Sequence, residues 1–406
     1  MKPLLAIDLG TSYLKGVSFL PQENKVRIFD FLGIPYNPYF SNDLEAKLEE
    51  LISFFKNEKR TDFDSVILGL GEGLAKGVVK KINFARKRPR RPITKSEFRE
   101  IIERLQKDSY QTVQNYLNKK IILVKAAIKN IVVDNWETLS PIGIPANTIT
   151  LKIINFYLPF DFSKRIEKFF SKKRIKIFSV KYIPEDFPDT ILDYFSPYEE
   201  KREKEKIFID IGGENTQVYI TKGDKIETIK DFSIGGEEFN RRIAEVLNIK
   251  KELFRELIKE IKLKTGKGFF SPPIERKIKE AIYYQYKLWE EELSSVLENF
   301  SIFPSYEKEF YSPLKPIRRL YLFGGGTDLF FFDEFRKKFT NPPYSFIIKR
   351  IGLNDFKHIR NEFLEESVSE KKDYFSYDGI RRNSGEKFSS SQAIVPISIC
   401  FPNKER

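Results

Sequence analysis

The sequence is nearly empty of the residues that carry redox and metal chemistry. It has one cysteine, Cys400, and one histidine, His358, in 406 residues. A lone cysteine excludes an internal disulfide and fits a reducing compartment. A lone histidine argues against a zinc site or a histidine-based nucleophilic triad. No apolar run approaches the roughly 18–20 residues that a membrane-spanning helix needs. No secretion signal is visible, because Asp8 interrupts the first apolar stretch after Leu4, Leu5, Ala6 and Ile7. A soluble, cytoplasmic chain is expected.

Charge is plentiful. Lys and Arg number 71 against 58 Asp and Glu, a formal net charge of +13. Most of the excess is dispersed with glutamate along helical stretches such as 97–107 and 250–264, the pattern of a solvated face, so nucleic acid is not an expected partner. The local exception is Arg86-Lys87-Arg88-Pro89-Arg90-Arg91, read as an exposed loop tip, or else as a contact for an acidic partner or lipid headgroups. A chain of this length divides into about two to four subdomains.

Two stretches share one design. Lys206 to Thr221 reads as an apolar strand, Asp210, a turn on Gly212 and Gly213, and a returning strand from Thr216. Leu4 to Phe19 repeats it with Asp8, a small-residue turn at Gly10-Thr11-Ser12, and a returning strand from Tyr13. Either hairpin alone is a common turn. Each leaves backbone N–H groups able to face an anion and an aspartate able to hold a metal through water. The repeat points to two related half-domains whose Asp-tipped hairpins wall one cleft.

Along the chain, 25–34 reads as a third strand, 43–57 as a helix and 64–71 as a strand ending in glycines. A different texture follows. It comprises a strand at 77–85, the basic loop, a helix capped by Thr94 with Glu97 three residues on, two strands at 121–128 and 129–133, a loop at 136–146 and a strand at 148–156. This is an α+β unit inserted at 72–157. A helix at 162–171, a strand at 175–180 and a helix at 187–195 come next. The second hairpin is followed by Gly235-Gly236 leading into a helix to about Leu247, a helix at 252–263 and a long helix at 274–300. A strand at 319–323 runs into Gly324-Gly325-Gly326 before a helix at 329–339, a junction that lets a flat ligand approach backbone closely. Residues 361–391 read as a loosely ordered polar segment, and 392–402 as packing back on the first half.

In motif order this constellation resembles the actin-like ATPase superfamily. The resemblance implies an α/β, ribonuclease H-like duplicated fold, with two domains closing over ATP and Mg²⁺. It implies that Gly10, Thr11, Ser12 and Lys15 form the first phosphate loop, with Lys15 on the phosphates. Gly212, Gly213, Glu214, Asn215 and Thr216 would form the second, Gly236 would lie close by, and Asp8 and Asp210 would hold the metal through water. Gly324, Gly325 and Gly326 would take the adenosine, with Glu256 and Lys259 as a weaker E-x-x-K match.

The insert lies directly after Gly69-Leu70-Gly71, where the bacterial cell-division family FtsA carries its extra subdomain, and Ser140-Pro141-Ile142-Gly143 is similar to that family's N-P-x-G loop. The first half-domain is then 1–71, completed by 158–198 and 392–402; the second is 205–246 with 306–350, carrying a helical subdomain at 247–305. Resemblance to FtsA implies a scaffold that polymerises under nucleotide control and binds the FtsZ C-terminal tail at the helical subdomain. The GGENT loop is closer to PilM, the pilus-assembly relative, which implies a platform for type IV pili holding a partner's N-terminal tail near the insert. In either case, membrane proteins of the division or pilus apparatus recruit the chain to the inner face of the cell membrane. The chain as given ends at Pro402-Asn403-Lys404-Glu405-Arg406 without the amphipathic helix usual in FtsA, so anchoring by the C-terminus is not expected. A third class is a small-molecule kinase of the same superfamily, which needs a catalytic aspartate aimed into the cleft, and none stands out. A carboxylate at Glu214 would repel phosphate unless it faces metal or solvent. Slow or absent hydrolysis is therefore expected.

Overall fold

The repeat seen in the sequence becomes two sheets of the same design. The computed structural model describes residues 2–22, 25–36, 43–71, 73–182, 205–222, 225–250, 253–254, 271–298, 319–325, 332–340, 346–350, 359–361, 380–381 and 387–388. Strands β1 (Leu4–Leu9), β2 (Tyr13–Gln22) and β3 (Lys25–Pro35) form an antiparallel meander. Helix α1 (Asp43–Ser53) buries Leu44, Leu48, Leu51 and Ile52 at the predicted helical spacing. It then widens into a π-type turn at Phe54–Glu58, which buries both Phe54 and Phe55. Strand β4 (Ser65–Leu70) returns parallel to β1.

The inserted unit is a sheet with one long helix. Strand β5 (Lys76–Ala85) leads to α2 (Lys95–Leu117), whose cap Thr94 accepts the Glu97 N–H at 3.2 Å as expected. Strands β6 (Ile121–Val133), β7 (Trp136–Glu137) and β8 (Thr148–Pro159) complete it in the order β5-β8-β6-β7. The two strands expected at 121–133 are one, because two bulges absorb the irregularities, between Leu123 and Lys125 and between Ile128 and Asn130. Ile101, Leu105, Ile131, Ile149 and Leu151 close its own small core. The basic run is not uniformly exposed either. Arg86 is buried, with its guanidinium paired to Glu97 at 2.8 and 2.9 Å and donating to the carbonyls of Arg91 and Ala146. Only the cations that follow it face solvent.

Helix α3 (Phe160–Lys172) and strand β9 (Lys176–Tyr182), parallel to β4, bring the chain back to the first sheet. The second half repeats the first. Strands β10 (Glu205–Ile211), β11 (Thr216–Lys222) and β12 (Lys225–Phe232) form a meander. Helices α4 (Gly236–Leu247) and α5 (Pro272–Glu298) follow, and β13 (Arg319–Phe323) joins parallel to β10. Helix α6 (Phe332–Thr340) and strand β14 (Ile347–Arg350), parallel to β13, end the unit. Hence β3-β2-β1-β4-β9 and β12-β11-β10-β13-β14 have the same order and the same strand directions. Strand β15 (Ile359–Asn361) extends the first sheet beyond β3. The second core gathers Ile207, Val218, Phe239, Trp289, Leu320 and Phe335. The helices expected at 187–195 and 252–263, and the return at 392–402, lie outside the described residues apart from Leu253 and Phe254.

Candidate functional site

The two hairpin turns are built alike. Asp8 lies one residue before the end of β1 and Asp210 one before the end of β10. In each turn a glycine N–H donates to the carbonyl three residues on, Gly10 to Tyr13 at 3.2 Å and Gly212 to Asn215 at 3.0 Å. Tyr36 braces the first turn, its N–H on the Ser12 carbonyl and its hydroxyl on that of Gly10. The start of α4 braces the second, Gly236 N–H donating to Gly212 at 2.8 Å and Glu237 N–H to Gly213 at 2.7 Å.

The turns meet face to face. The Glu214 N–H donates to Thr11 Oγ1 at 3.2 Å, and a Cβ placed on Gly213 would fall 2.0 Å from Ser12 Oγ. The Thr11 methyl packs against Gly73, at the start of the insert. Donors for an anion remain at this junction. Among the described residues the N–H groups of Thr11, Ser12 and Gly213 find no acceptor, and the buried Ser12 hydroxyl has no partner. Such a cluster of unmatched donors matches the acceptor oxygens of a phosphate chain.

Charge within the site differs from expectation. Lys15 stands opposite Asp8 in the strand register and its Nζ lies 3.0 Å from Asp8 Oδ2, so its described partner is the aspartate of its own hairpin. Burial, reinforced by nearby Asp8 and opposed by Lys15, pushes the Asp210 carboxyl up to about 7. Gly324 has φ +92, and a Cβ there would lie 2.2 Å from Asp210 Oδ1 and 2.5 Å from the Ile211 carbonyl. The space a side chain at Gly324 would need is taken by the Asp210 hairpin itself. Gly325 follows directly, while Gly326, Glu256 and Lys259 lie outside the described residues.

Glu214 does not point into the junction. Arg241 on α4 holds its carboxylate in a bidentate grip, with contacts of 2.8, 2.9 and 3.2 Å, and also pairs with Glu238. The sequence offered only an arginine three residues after a glutamate on the helix following Gly235-Gly236, too common a spacing to single out. Thr216 is likewise committed elsewhere. Its buried hydroxyl donates to the Ile234 carbonyl at 2.6 Å and accepts the Trp289 indole N–H at 2.8 Å, which makes it a core fastener. As for a metal, no group of three His, Cys, Asp or Glu side chains clusters among the described residues.

No protein-family profile and no curated protein matches the chain. Solved structures do. A chain of the PilM-PilN type IV pilus biogenesis complex is similar over 98% of this chain and 97% of its own, with a TM-score of 0.65 and 14% identity. The ethanolamine utilization protein EutJ from Carboxydothermus hydrogenoformans is similar over 98% and 88%, with a TM-score of 0.45 and 11% identity. MreB5 of Spiroplasma citri bound to AMPPNP is similar over 86% and 91%, with a TM-score of 0.42 and 11% identity. At these identities likeness speaks to fold and not to activity. With its twinned sheets and facing Asp-tipped turns, the chain has the actin-like ATPase fold.

Proposed function

We propose that this chain is a nucleotide-binding platform of the PilM kind, holding the N-terminal tail of a PilN-type membrane partner. The observation that carries this reading is an apolar recess where the insert meets the first half-domain, lined by Leu70, Val124, Phe156, Leu158, Val180 and Tyr182. The bulge between Leu123 and Lys125 falls on Val124, re-aiming that side chain beside the recess. Phe178, 61% exposed, is the extra residue of a bulge in β9, where Val66 pairs with Ile177 and Ile67 with Ser179. The apolar lining of the recess suits a small apolar side chain of a partner segment, and the full-length likeness to a chain of the PilM-PilN complex supports that occupant.

ATP would sit between the two turns. The Thr11, Ser12 and Gly213 amides would take phosphate oxygens, with Gly10 and Gly212 shaping the turns and Lys15 adding charge. Gly324, Gly325 and Gly326, with Glu256 and Lys259, would border the adenosine. Mg²⁺, held through water by Asp8 and Asp210, would offset the phosphate charge. Hydrolysis needs a positioned base for the attacking water. Asp8 is paired with Lys15 and Asp210 is buried beneath Gly324, so neither aspartate serves as this base. Nucleotide then acts chiefly as a clamp on domain closure.

A second reading, an FtsA-type division scaffold binding the FtsZ tail, is favoured by the position of the insert and its Pro141-Ile142-Gly143 turn. Fluorescence anisotropy of the full chain with a labelled PilN-type N-terminal peptide and an FtsZ-tail peptide, with and without ATP, separates the two. The first peptide should bind, and Val124→Glu should abolish that binding while leaving ATP affinity unchanged. Binding of the FtsZ tail alone, or indifference to Val124→Glu, overturns the proposal.

A further inference from the structure

We propose that the far end of the inserted sheet is a docking surface for an anionic lipid bilayer. This goes beyond the platform reading and does not depend on it.

The surface is assembled from two turns. Strand β5 leaves the first half-domain at Lys76 and runs ten residues, so at ~3.3 Å per residue its far end stands about 30 Å out. There the segment after Arg86 lies beside the loop that ends at Ala146. Ile93 N–H donates to the Ile144 carbonyl at 3.0 Å, Gly143 N–H to Ile93 at 2.9 Å, and Pro92 bridges Pro145. One loop supplies apolar groups: Leu139 is 100% exposed, Trp136 80%, and Ile142 and Ile144 about a third or more (41% and 36%). The other supplies Lys87, Arg88, Arg90 and Arg91, all exposed and without an acidic partner among the described residues.

The projection is fixed by the backbone. Asp134 and Asn135 have φ of 43° and 74°, the left-handed pair of a tight hairpin turn, which sets Trp136 opposite Val133. The Asp134 carboxylate accepts the N–H groups of Asn147 and Thr148 at 2.7–3.0 Å and the Thr148 hydroxyl, tying this loop to the start of β8. Its charge is spent on those donors, leaving Glu137 as the other acid of the loop. Gly143, at φ +87, closes the turn in which Ile144 N–H donates to Pro141 at 3.2 Å, with Ile142 outward. Buried Arg86 holds the two loops together through Pro89, Arg91 and Ala146.

A rigid, projecting apolar tip with tryptophan at its base and cations alongside has the chemistry of a membrane interface. Indole favours the headgroup level, aliphatic side chains enter the acyl boundary, and Lys and Arg pair with anionic headgroups. A peptide would need a groove, whereas these side chains stand proud of the fold.

The chain contains two tryptophans, and Trp289 is fully buried in the second half, so lipid-dependent fluorescence reports Trp136. The full chain is mixed with neutral phosphatidylcholine vesicles and with vesicles containing about one-third phosphatidylglycerol. The protein should sediment with the anionic vesicles, release at high salt, and show a blue shift with quenching by brominated lipid. Trp136→Phe should abolish the optical change. Arg88→Ser with Arg90→Ser and Arg91→Ser should weaken partitioning on the order of 100-fold. Trp136→Ser with Leu139→Ser should weaken it as well, and neither set should alter the melting temperature. Failure to sediment, sedimentation insensitive to both sets, or absence of quenching overturns the proposal. Lipid-free self-association that these substitutions abolish also overturns it, since a second copy would then cover the tip.

Discussion

Replacing Arg241 by alanine should weaken ATP binding, although Arg241 belongs to neither turn. Its guanidinium holds Glu214 in a bidentate grip, with the closest contact at 2.8 Å, and keeps that carboxylate on the α4 side. Both side chains are about a third exposed, so the pair itself adds only ~1 kcal/mol to stability and the melt should scarcely move. Binding is another matter. Released, Glu214 can swing toward the junction where Thr11, Ser12 and Gly213 present their amides, bringing a negative charge to within about 6 Å of phosphate. In the intermediate dielectric of a cleft that costs about 1–2 kcal/mol, roughly a tenfold rise in Kd. Calorimetry of the full chain in low and high salt measures it, and the effect should shrink as salt rises. Glu214→Gly in the Arg241→Ala background should restore affinity, and Glu214→Gly alone should lose none. If Arg241→Ala leaves the Kd unchanged, or if removing Glu214 does not rescue it, the assignment of this junction to phosphate is wrong.

Two stability predictions follow from committed polar groups. Thr216→Val keeps the volume but strands the Trp289 indole N–H in the second core, which should cost about 1–3 kcal/mol in urea unfolding; an unchanged midpoint would deny the hydroxyl its fastening role. In the insert, the Arg86 guanidinium holds the Glu97 carboxyl below its usual range. A depressed carboxylate contributes stability that is present above its unfolded value of 4.5 and is lost as pH falls through the folded value. Glu97→Ala should therefore cost about 3 kcal/mol near neutral pH, because it leaves buried Arg86 without its counter-charge. The gap from wild type should narrow once the pH falls well below 4.5. A gap independent of pH would show that packing, not charge, is what Glu97 supplies.

What could be read from the sequence was local. Alternating apolar residues ended by Asp and Gly announced both hairpins, and Thr94 with Glu97 announced a helix start, because strand pairing and capping are written within a few residues. What could not be read was the partner of each polar group. Arg86 looks no different from the cations that follow it, yet it is buried, because Glu97 and the Ala146 carbonyl happen to converge on it across 11 and 60 residues. Thr216 looked like a phosphate ligand until Trp289, 73 residues away, claimed its hydroxyl. Lys15 has Asp8 within reach only because the β1–β2 register sets them side by side. The break expected near residue 129 vanished because β8 tolerates two bulges on its neighbour, a property of the pair and not of either strand.

The junction of the two turns and the recess share one short piece of chain. The turn from Gly71 to Ala75 is closed by the Leu74 and Ala75 N–H groups on the Gly71 carbonyl, at 3.1 and 2.9 Å. On one side its Gly73 backs onto Thr11 of the first hairpin, and on the other its flanks Leu70 and Ala75 line the recess. Just beyond it Lys76 pairs with Asp231, and Lys152 of β8 pairs with Glu227, so the insert is also tied to the meander of the second half. Were phosphates to enter between the two turns, as proposed, Thr11 would have to move away from Gly213, Glu214 or Gly73. If Gly73 gives way, the turn carries Leu70 and Ala75 with it and the recess changes shape. Packed elements transmit such shifts because interiors have little free volume to absorb them. The coupling is reciprocal by linkage: a tail that binds more tightly in the presence of ATP must raise ATP affinity by the same factor. For the proposed platform that factor is enough: nucleotide would report whether the partner is seated with no bond broken.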